Sequence, residues 1–286
     1  MNTYRTALIT DSTCDVPDDL IEKYEITVVP SLVVWGNEVL RDRVDIQPEE
    51  FYCRLETDPL FPTTSHPTPQ DFSSVYANAT QRGAEEIVVI TVSSAMSGTI
   101  EAARQAMETT DAPVHIVDSK GPTMTVGWQV LAAARAREAG GDAQAMVAAA
   151  DRARETMVQF VCLDTLEYLH KGGRIGSATK FIGTMLRIKP LVYINHQTGL
   201  VEPGKRIRTR TRSLEALYEE FFNDLDTHKT MRVAVLHGGA LKDAEAIADR
   251  IRREFAPAEL LINVTGPVLG VHTGPRAVAL VGYTED

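Results

Sequence analysis

Apolar residues fall into two rhythms along this chain, short β-branched runs and longer stretches with helical spacing, and the two alternate. Residues 5–10 read as a buried strand, after which Asp15 and Pro17 open a short helix. Leu32 to Trp35 and Glu38 to Arg41 flank Gly36-Asn37, the signature of a two-residue hairpin. Pro48 starts a helix that runs to about Glu56. Pro59, Pro62, Pro67 and Pro69 then punctuate a segment too proline-rich for either hydrogen-bond ladder, so it is expected to be a stiff loop. From Gln70 the spacing of Phe72, Val75, Tyr76 and Ala79 is helical, and Gly83 stops it. Residues 87–92 (IVVITV) form the continuous apolar run of a strand buried on both faces. A helix is expected from near Ser97, a strand at Val114 to Val117, and a long helix through Ala139 closed by Gly140-Gly141.

The alternation resumes after about residue 156, with strands near 158–163, 190–195, 232–237, 259–264 and 277–283. Helices are expected at 211–226 and 241–255. Strands alternating with helices predict an α/β protein with mostly parallel sheets. The simplest partition is two α/β domains, 1–155 and 156–286, although nothing linker-like marks the boundary.

Composition narrows the class. With 286 residues, 44% of them hydrophobic and 24% charged, the chain has material for a real core, which excludes disordered and collagen-like classes. Cys14, Cys53 and Cys162 are odd in number and far apart, with no C-x-x-C pair, so neither a metal site nor a disulfide framework is expected. No run approaches the roughly 18 apolar residues of a membrane span, and no leader pattern precedes the first strand, so a cytoplasmic protein is expected. The net charge of −10 is unevenly spread: ten lysines and arginines against one acid, Glu202, give the stretch from His170 to Arg212 a charge of +9. A basic face on an acidic protein points to a localised anionic partner. A basic edge paired with acids elsewhere in the fold would look the same.

Four stretches carry candidate chemistry. Ser93-Ser94-Ala95-Met96-Ser97-Gly98-Thr99 joins a buried strand to a helix, where hydroxyls, unpaired N–H groups and a glycine suit an anion; the plainer alternative is that Ser97 caps its helix. Thr63-Thr64-Ser65-His66-Pro67-Thr68-Pro69 holds a second hydroxyl cluster on a proline-stiffened backbone, or else an ordinary turn in which Thr68 caps the next helix. Gly266 to Pro275 places His272 among glycines that allow close backbone approach, though a lone histidine is more often structural than catalytic. Leu169 to Gly176 carries Arg174, the side chain best suited to a two-pronged oxyanion contact, ahead of the apolar run Phe181 to Leu186, which reads as core. No G-x-S-x-G, H-E-x-x-H or strand-linked G-x-G-x-x-G motif is present. Gly199 to Arg206 nearly matches a P-loop, but Arg206 stands where the magnesium-binding hydroxyl belongs, so a hairpin turn is expected there.

In their order these stretches resemble the DegV family, whose characterised members are bacterial fatty-acid-binding proteins of the FakB type. The resemblance rests on Thr10-Asp11-Ser12-Thr13, Pro62-Thr63-Thr64-Ser65, Ser93-Ser94-x-x-Ser97-Gly98-Thr99, Asp118-Ser119, Gly172-Gly173-Arg174, Arg206-Ile207-Arg208-Thr209-Arg210 and Gly270-x-His272-x-Gly274-Pro275. It implies a two-domain α/β protein enclosing one long-chain fatty acid between its domains, with no other cofactor. Thr64, Ser97 and His272, with the Gly98 backbone N–H, would surround the carboxylate, and Ser65, Ser94, Ser119 and Arg174 would lie near it. The acid would be presented to a separate ATP-dependent fatty acid kinase that makes an acyl phosphate for phospholipid synthesis. Lys205, Arg206, Arg208 and Arg210 would offer that kinase a docking face, and transient contact with a membrane surface fits the same role. His66 replaces the family's usual glutamine, and Arg276 follows Gly274-Pro275 where glycine is common.

Two other classes compete. A serine-dependent acyl-ester hydrolase would use Ser97 as nucleophile and His272 as base. A regulatory nucleic-acid-binding module would use the basic segment, against which stand the −10 charge, the 6% aromatic content and the lack of a helix-turn-helix pattern.

Overall fold

Each apolar run becomes a strand or a packed helix, and the period of the run decides which. The computed structural model describes residues 4–285; the side chains of Ile182, Thr184, Met185, Leu186 and Arg187 lie outside the described residues. The core expected over Phe181 to Leu186 is therefore seen only at Phe181, which is buried.

The first half contains strands β1 (Thr6–Asp11), β2 (Ile26–Val29), β3 (Leu32–Trp35), β4 (Glu38–Arg41), β5 (Thr63–Ser65), β6 (Glu86–Thr91) and β7 (Val114–Asp118). Its helices are α1 (Asp18–Lys23), α2 (Pro48–Thr57), α3 (Pro69–Gln81), α4 (Thr99–Ala106), α5 (Met124–Glu138) and α6 (Ala143–Glu155). The second half contains β8 (Val158–Cys162), β9 (Leu191–Asn195), β10 (Leu200–Pro203), β11 (Thr230–His237), β12 (Glu259–Val264) and β13 (Val278–Glu285). Between them lie α7 (Glu167–Lys171), α8 (Arg210–Asp224), α9 (Leu241–Glu254) and α10 (Pro267–Thr273). A 3-10 segment, Gly176–Arg187, precedes β9.

One sheet, ordered β2-β1-β6-β7, is parallel throughout. Alternate residues of its central strands face opposite layers: Ala7, Ile9, Ile87 and Val89 pack on α3 and α4, whereas Leu8, Val88 and Ile90 pack on α5 and α6. That double burial is why these strands read as unbroken apolar runs.

The second sheet, β10-β9-β8-β13-β11-β12, departs from the mostly parallel expectation. Only β11 and β12 pair in parallel, and the other four pairings are antiparallel. The reason lies in the connections, since a parallel pair needs a crossover and only α9 supplies one between neighbours here. β13, the last strand, inserts between β8 and β11.

Helix α5 lies between the two sheets. Trp128 donates its Nε1–H to the Val281 carbonyl on β13 at 3.1 Å, while other α5 residues pack on β1 and β6. A single apolar cluster thus runs from Leu8 and Ile90 through Trp128 and Val130 to Val161, Ala279 and Val281. Burial all round explains why α5 lacks a polar face. The outer face of the second sheet is covered by α8 and α9 through Leu217, Phe221, Ile247 and Ile251.

The proline-rich segment is not wholly a loop. Thr63–Ser65 form β5, the edge strand of a small antiparallel sheet ordered β4-β3-β5. Pro62 and Pro67 lie just outside the paired residues, and an edge strand tolerates missing donors on its open side. Among the described residues no helix is long and apolar enough to cross a membrane.

Candidate functional site

The small sheet delivers the first polar group. Thr64 stands opposite Val33 in the β3–β5 register, and α10 packs against both strands. Val268 and His272, four residues apart, share one face of α10. As a result Thr64 Oγ1 and His272 Nε2 are 2.9 Å apart, although 208 residues separate them in sequence. The other ring nitrogen, Nδ1, is buried without a hydrogen-bond partner. It lies against Gly172, where a Cβ would collide with the ring, so glycine at that position is a condition for seating the imidazole. Burial, with the Arg174 charge nearby, pushes the His272 pKa down to about 4, and the ring is neutral at pH 7.

Ser97 comes from the turn after β6. Its Oγ is 2.9 Å from Thr99 Oγ1 and 3.4 Å from Thr99 N, and the cap position of α4 belongs to Gly98, which has no side chain to cap with. The serine is therefore not a simple helix cap. Thr68 is one: it forms a capping box with Asp71 at the start of α3. The His66 ring rests on Gly98, since a Cβ there would lie 2.8 Å from His66 Nε2. Arg174 ties the glycine pair to the serine-rich turn, with Nε donating to the Met96 carbonyl at 3.1 Å and Nη1 to the Gly172 carbonyl at 2.9 Å.

Thr64, Ser65, His66, Ser97, Arg174 and His272 all line one cavity of about 210 Å³, counted as space open to the centre of a water-sized sphere. About 10–15 Å³ on that measure holds one water, so the space takes a far larger molecule. Beyond these groups the wall is largely apolar, with Val161, Val192 and Ala279 from the inner face of the second sheet, Leu163 just past β8, and Val92 and Met96 from the turn after β6. No aspartate or glutamate is among the described lining residues, and Arg174 brings a cation. An apolar slot with hydroxyls, a neutral imidazole and a guanidinium suits a molecule with a long apolar body and an anionic end.

The remaining candidates lie elsewhere. Ser94 is exposed and donates to Asp118 Oδ2 at 2.5 Å, and Ser119 is buried, donating to the Gly121 carbonyl at 2.9 Å; neither lines the cavity. Much of the basic segment is paired. Lys171, Lys189, Lys205 and Arg210 meet Glu167, Asp164, Glu220 and Asp243 at 2.6, 3.3, 2.5 and 2.7 Å. Arg206 donates to the Lys180 carbonyl and lies over the Phe181 ring, while Arg208 is exposed. Arg276 has φ +62°, a left-handed conformation that glycine adopts without strain, which accounts for its being an unusual occupant of that position.

The residue pattern did not reveal several polar wall groups: Thr13, Ser31, Gln159, Thr265 and Thr273. Thr13 lies in the Thr10-Asp11-Ser12-Thr13 motif and Thr273 in the Gly266 to Pro275 stretch, while Gln159 carries a local signal, a polar residue on the inward side of β8 followed on that side by Val161 and, just past the strand, Leu163. The hydrolase arrangement is not formed. His272 Nε2 is engaged by Thr64 rather than Ser97, and Nδ1 has no carboxylate to orient it.

The sequence and the fold both match known proteins. The family model described as "Uncharacterised protein, DegV family" matches residues 5–285. A DegV domain-containing protein of Streptomyces coelicolor is 36% identical over 277 residues, covering 96% of this chain and 97% of its own length. Among solved structures, a DegV family protein from Thermus thermophilus, described by its fatty acid binding, superposes with a TM-score of 0.91 at 31% identity, over 98% of this chain and 100% of that one. DegV of Bacillus subtilis, described as a fatty acid binding protein, superposes with a TM-score of 0.90 at 26% identity, over 99% and 100% of the two chains. From its fifth residue to its penultimate one, this chain belongs to the DegV family.

Proposed function

We propose that this protein binds one long-chain fatty acid in the cavity between its sheets, with the carboxylate held by Thr64, Ser97 and His272. The observation that carries the reading is that these three groups line one largely apolar slot, with Thr64 and His272 in direct contact. The fatty acid binding named for the Thermus thermophilus and Bacillus subtilis relatives supports it. Burying about 15 methylenes contributes on the order of 12 kcal/mol before ordering costs. An unpaired buried carboxylate would cancel much of that, and hydrogen bonds to the charge, each contributing roughly 1.5–3 kcal/mol, offset the loss.

The protein itself performs no chemistry in this reading. It presents the carboxylate to a separate ATP-dependent fatty acid kinase in the cytoplasm, and hydroxyl donors in place of a buried lysine leave the carboxylate free to attack a phosphoryl group. The exposed Arg208 and neighbouring Arg206 are the basic groups suited to meeting such a partner.

Native mass spectrometry after exposure to palmitate and oleate should show one acid bound per chain, released only on denaturation. Ligand-free protein alone would refute the reading. A second check uses the imidazole. In free protein the His272 ring should titrate near pH 4, because burial and Arg174 disfavour its charged form. A carboxylate within hydrogen-bond reach favours that form, so NMR titration should place the midpoint higher in the loaded protein. An unchanged midpoint would put the carboxylate elsewhere.

A further inference from the structure

Behind the cavity lies a second one, of about 760 Å³, and the two share a wall made by Gln159 and Ile194. Extending the antiparallel register Phe160↔Tyr193 by one residue sets these two side by side on β8 and β9. Gln159 and Val161 on β8 and Leu163 just past its end share the inward side, so at two residues per step Gln159 lies about 13 Å from Leu163. β13 lies beside β8 with Val281 opposite Gln159 and Ala279 opposite Val161, so the Leu163 end of this row faces the start of β13, which follows α10 and His272. Gln159 is at the end of the row away from His272.

Its carboxamide is held in place. Thr125 Oγ1 on α5 donates to Gln159 Oε1 at 2.6 Å, and both residues are buried. The other end of the carboxamide donates no hydrogen bond among the described residues. The space beyond is more polar than the slot, with Lys120, Arg154, Glu155, Asn195 and His196 in its lining beside Met157, Val158 and Phe160. A hydrocarbon gains less by entering it than by staying in the slot. We propose that Gln159, tied back to Thr125, is the end stop that sets the longest acyl chain this protein accepts. The inference rests on the fatty-acid reading and assigns its upper length limit to one residue.

Each methylene that finds apolar space raises affinity about fourfold, so affinity should climb with chain length and then break at the wall. The test is competition among equimolar saturated acids of graded length, read by native mass spectrometry on the wild type, Gln159→Ala and Gln159→Leu. Shortening the side chain to alanine should move the limit up by about two carbons and shift the ratio of longer to shorter acid at least tenfold, as two methylenes at about fourfold each require. Leucine, which keeps the bulk, should leave the limit where it is. Ile194→Ala opens the same wall from β9 and gives the same upward shift should Gln159→Ala fold poorly. Matching length profiles in the wild type and both alanine variants, with acid bound in all, would overturn the end stop while leaving the fatty-acid reading intact. A wild type that takes up no acid of any length would remove that reading, and the end stop with it.

Discussion

Replacing Thr64 and Ser97 together with alanine is expected to weaken palmitate binding by roughly a hundredfold to ten-thousandfold, as two lost hydrogen bonds to a charged group imply. The fold should survive, because both side chains face the cavity and Thr64 lies on an edge strand. The effect has an internal control. Palmitate methyl ester has no charge to satisfy, so the double variant should bind it within a few-fold of the wild type. Isothermal titration with the two ligands separates the outcomes. Equal affinity for palmitate in the variant and the wild type would mean that the carboxylate does not sit between these hydroxyls.

The second large effect concerns the support beneath the site. Arg43→Ala should cost about 3–5 kcal/mol of folding stability, since it strips the partner from a fully buried carboxylate. Arg43 Nη2 donates to Asp15 Oδ1 at 2.9 Å and to the Val264 carbonyl at 2.7 Å. Asp15 also accepts from Thr123 Oγ1 at 2.7 Å and from the Gly266 N–H at 2.9 Å. These bonds join the loop after β1, the turn after β4, the residue before α5 and the entry to α10. Asp15, Arg43 and Thr123 all have positive φ, which is costly for residues with a Cβ and persists only where surrounding contacts hold it. At about 2–4 °C per kcal/mol for a chain of this size, the melting temperature should fall by roughly 6–20 °C. Arg5→Ala breaks the fully exposed pair with Glu85 and should change almost nothing. Urea denaturation of the two variants provides the check, and an Arg43→Ala midpoint close to that of Arg5→Ala would show the buried pair to be dispensable.

Much of the fold was readable residue by residue where local periodicity and burial agree. IVVITV announces a strand with apolar layers on both sides, and β6 is that strand. Gly36-Asn37 announces the β3–β4 hairpin, and Thr68 the cap of α3. Legibility failed where partners decide. β5 is three residues among prolines and is a strand only because β3 lies alongside it. The direction of β13 in the second sheet depends on which strands leave a gap for it. Helix α6 gives no periodic signal, because its alanine-rich sequence has too few large apolar residues to mark a face, yet Met146, Ala150 and Ala153 are buried against its neighbours.

The site divides in the same way. Ser97, Thr64 and His272 were visible as chemistry because each sits in a short stretch of hydroxyls, glycines or prolines that has no reason to exist in an ordinary strand or helix. Gln159 is visible only as a polar residue in an apolar row, Thr13 and Thr273 only as members of longer motifs, and Ser31 and Thr265 not at all. From the order of its residues alone, this chain determines the elements, their caps and the handful of groups able to meet an anion, because those depend on neighbours a few positions away. Which of these groups share a cavity, how deep it runs and what closes its far end were decided only when α5 separated two sheets and left space beside it, since distances across a packed core are set by side chains hundreds of residues apart.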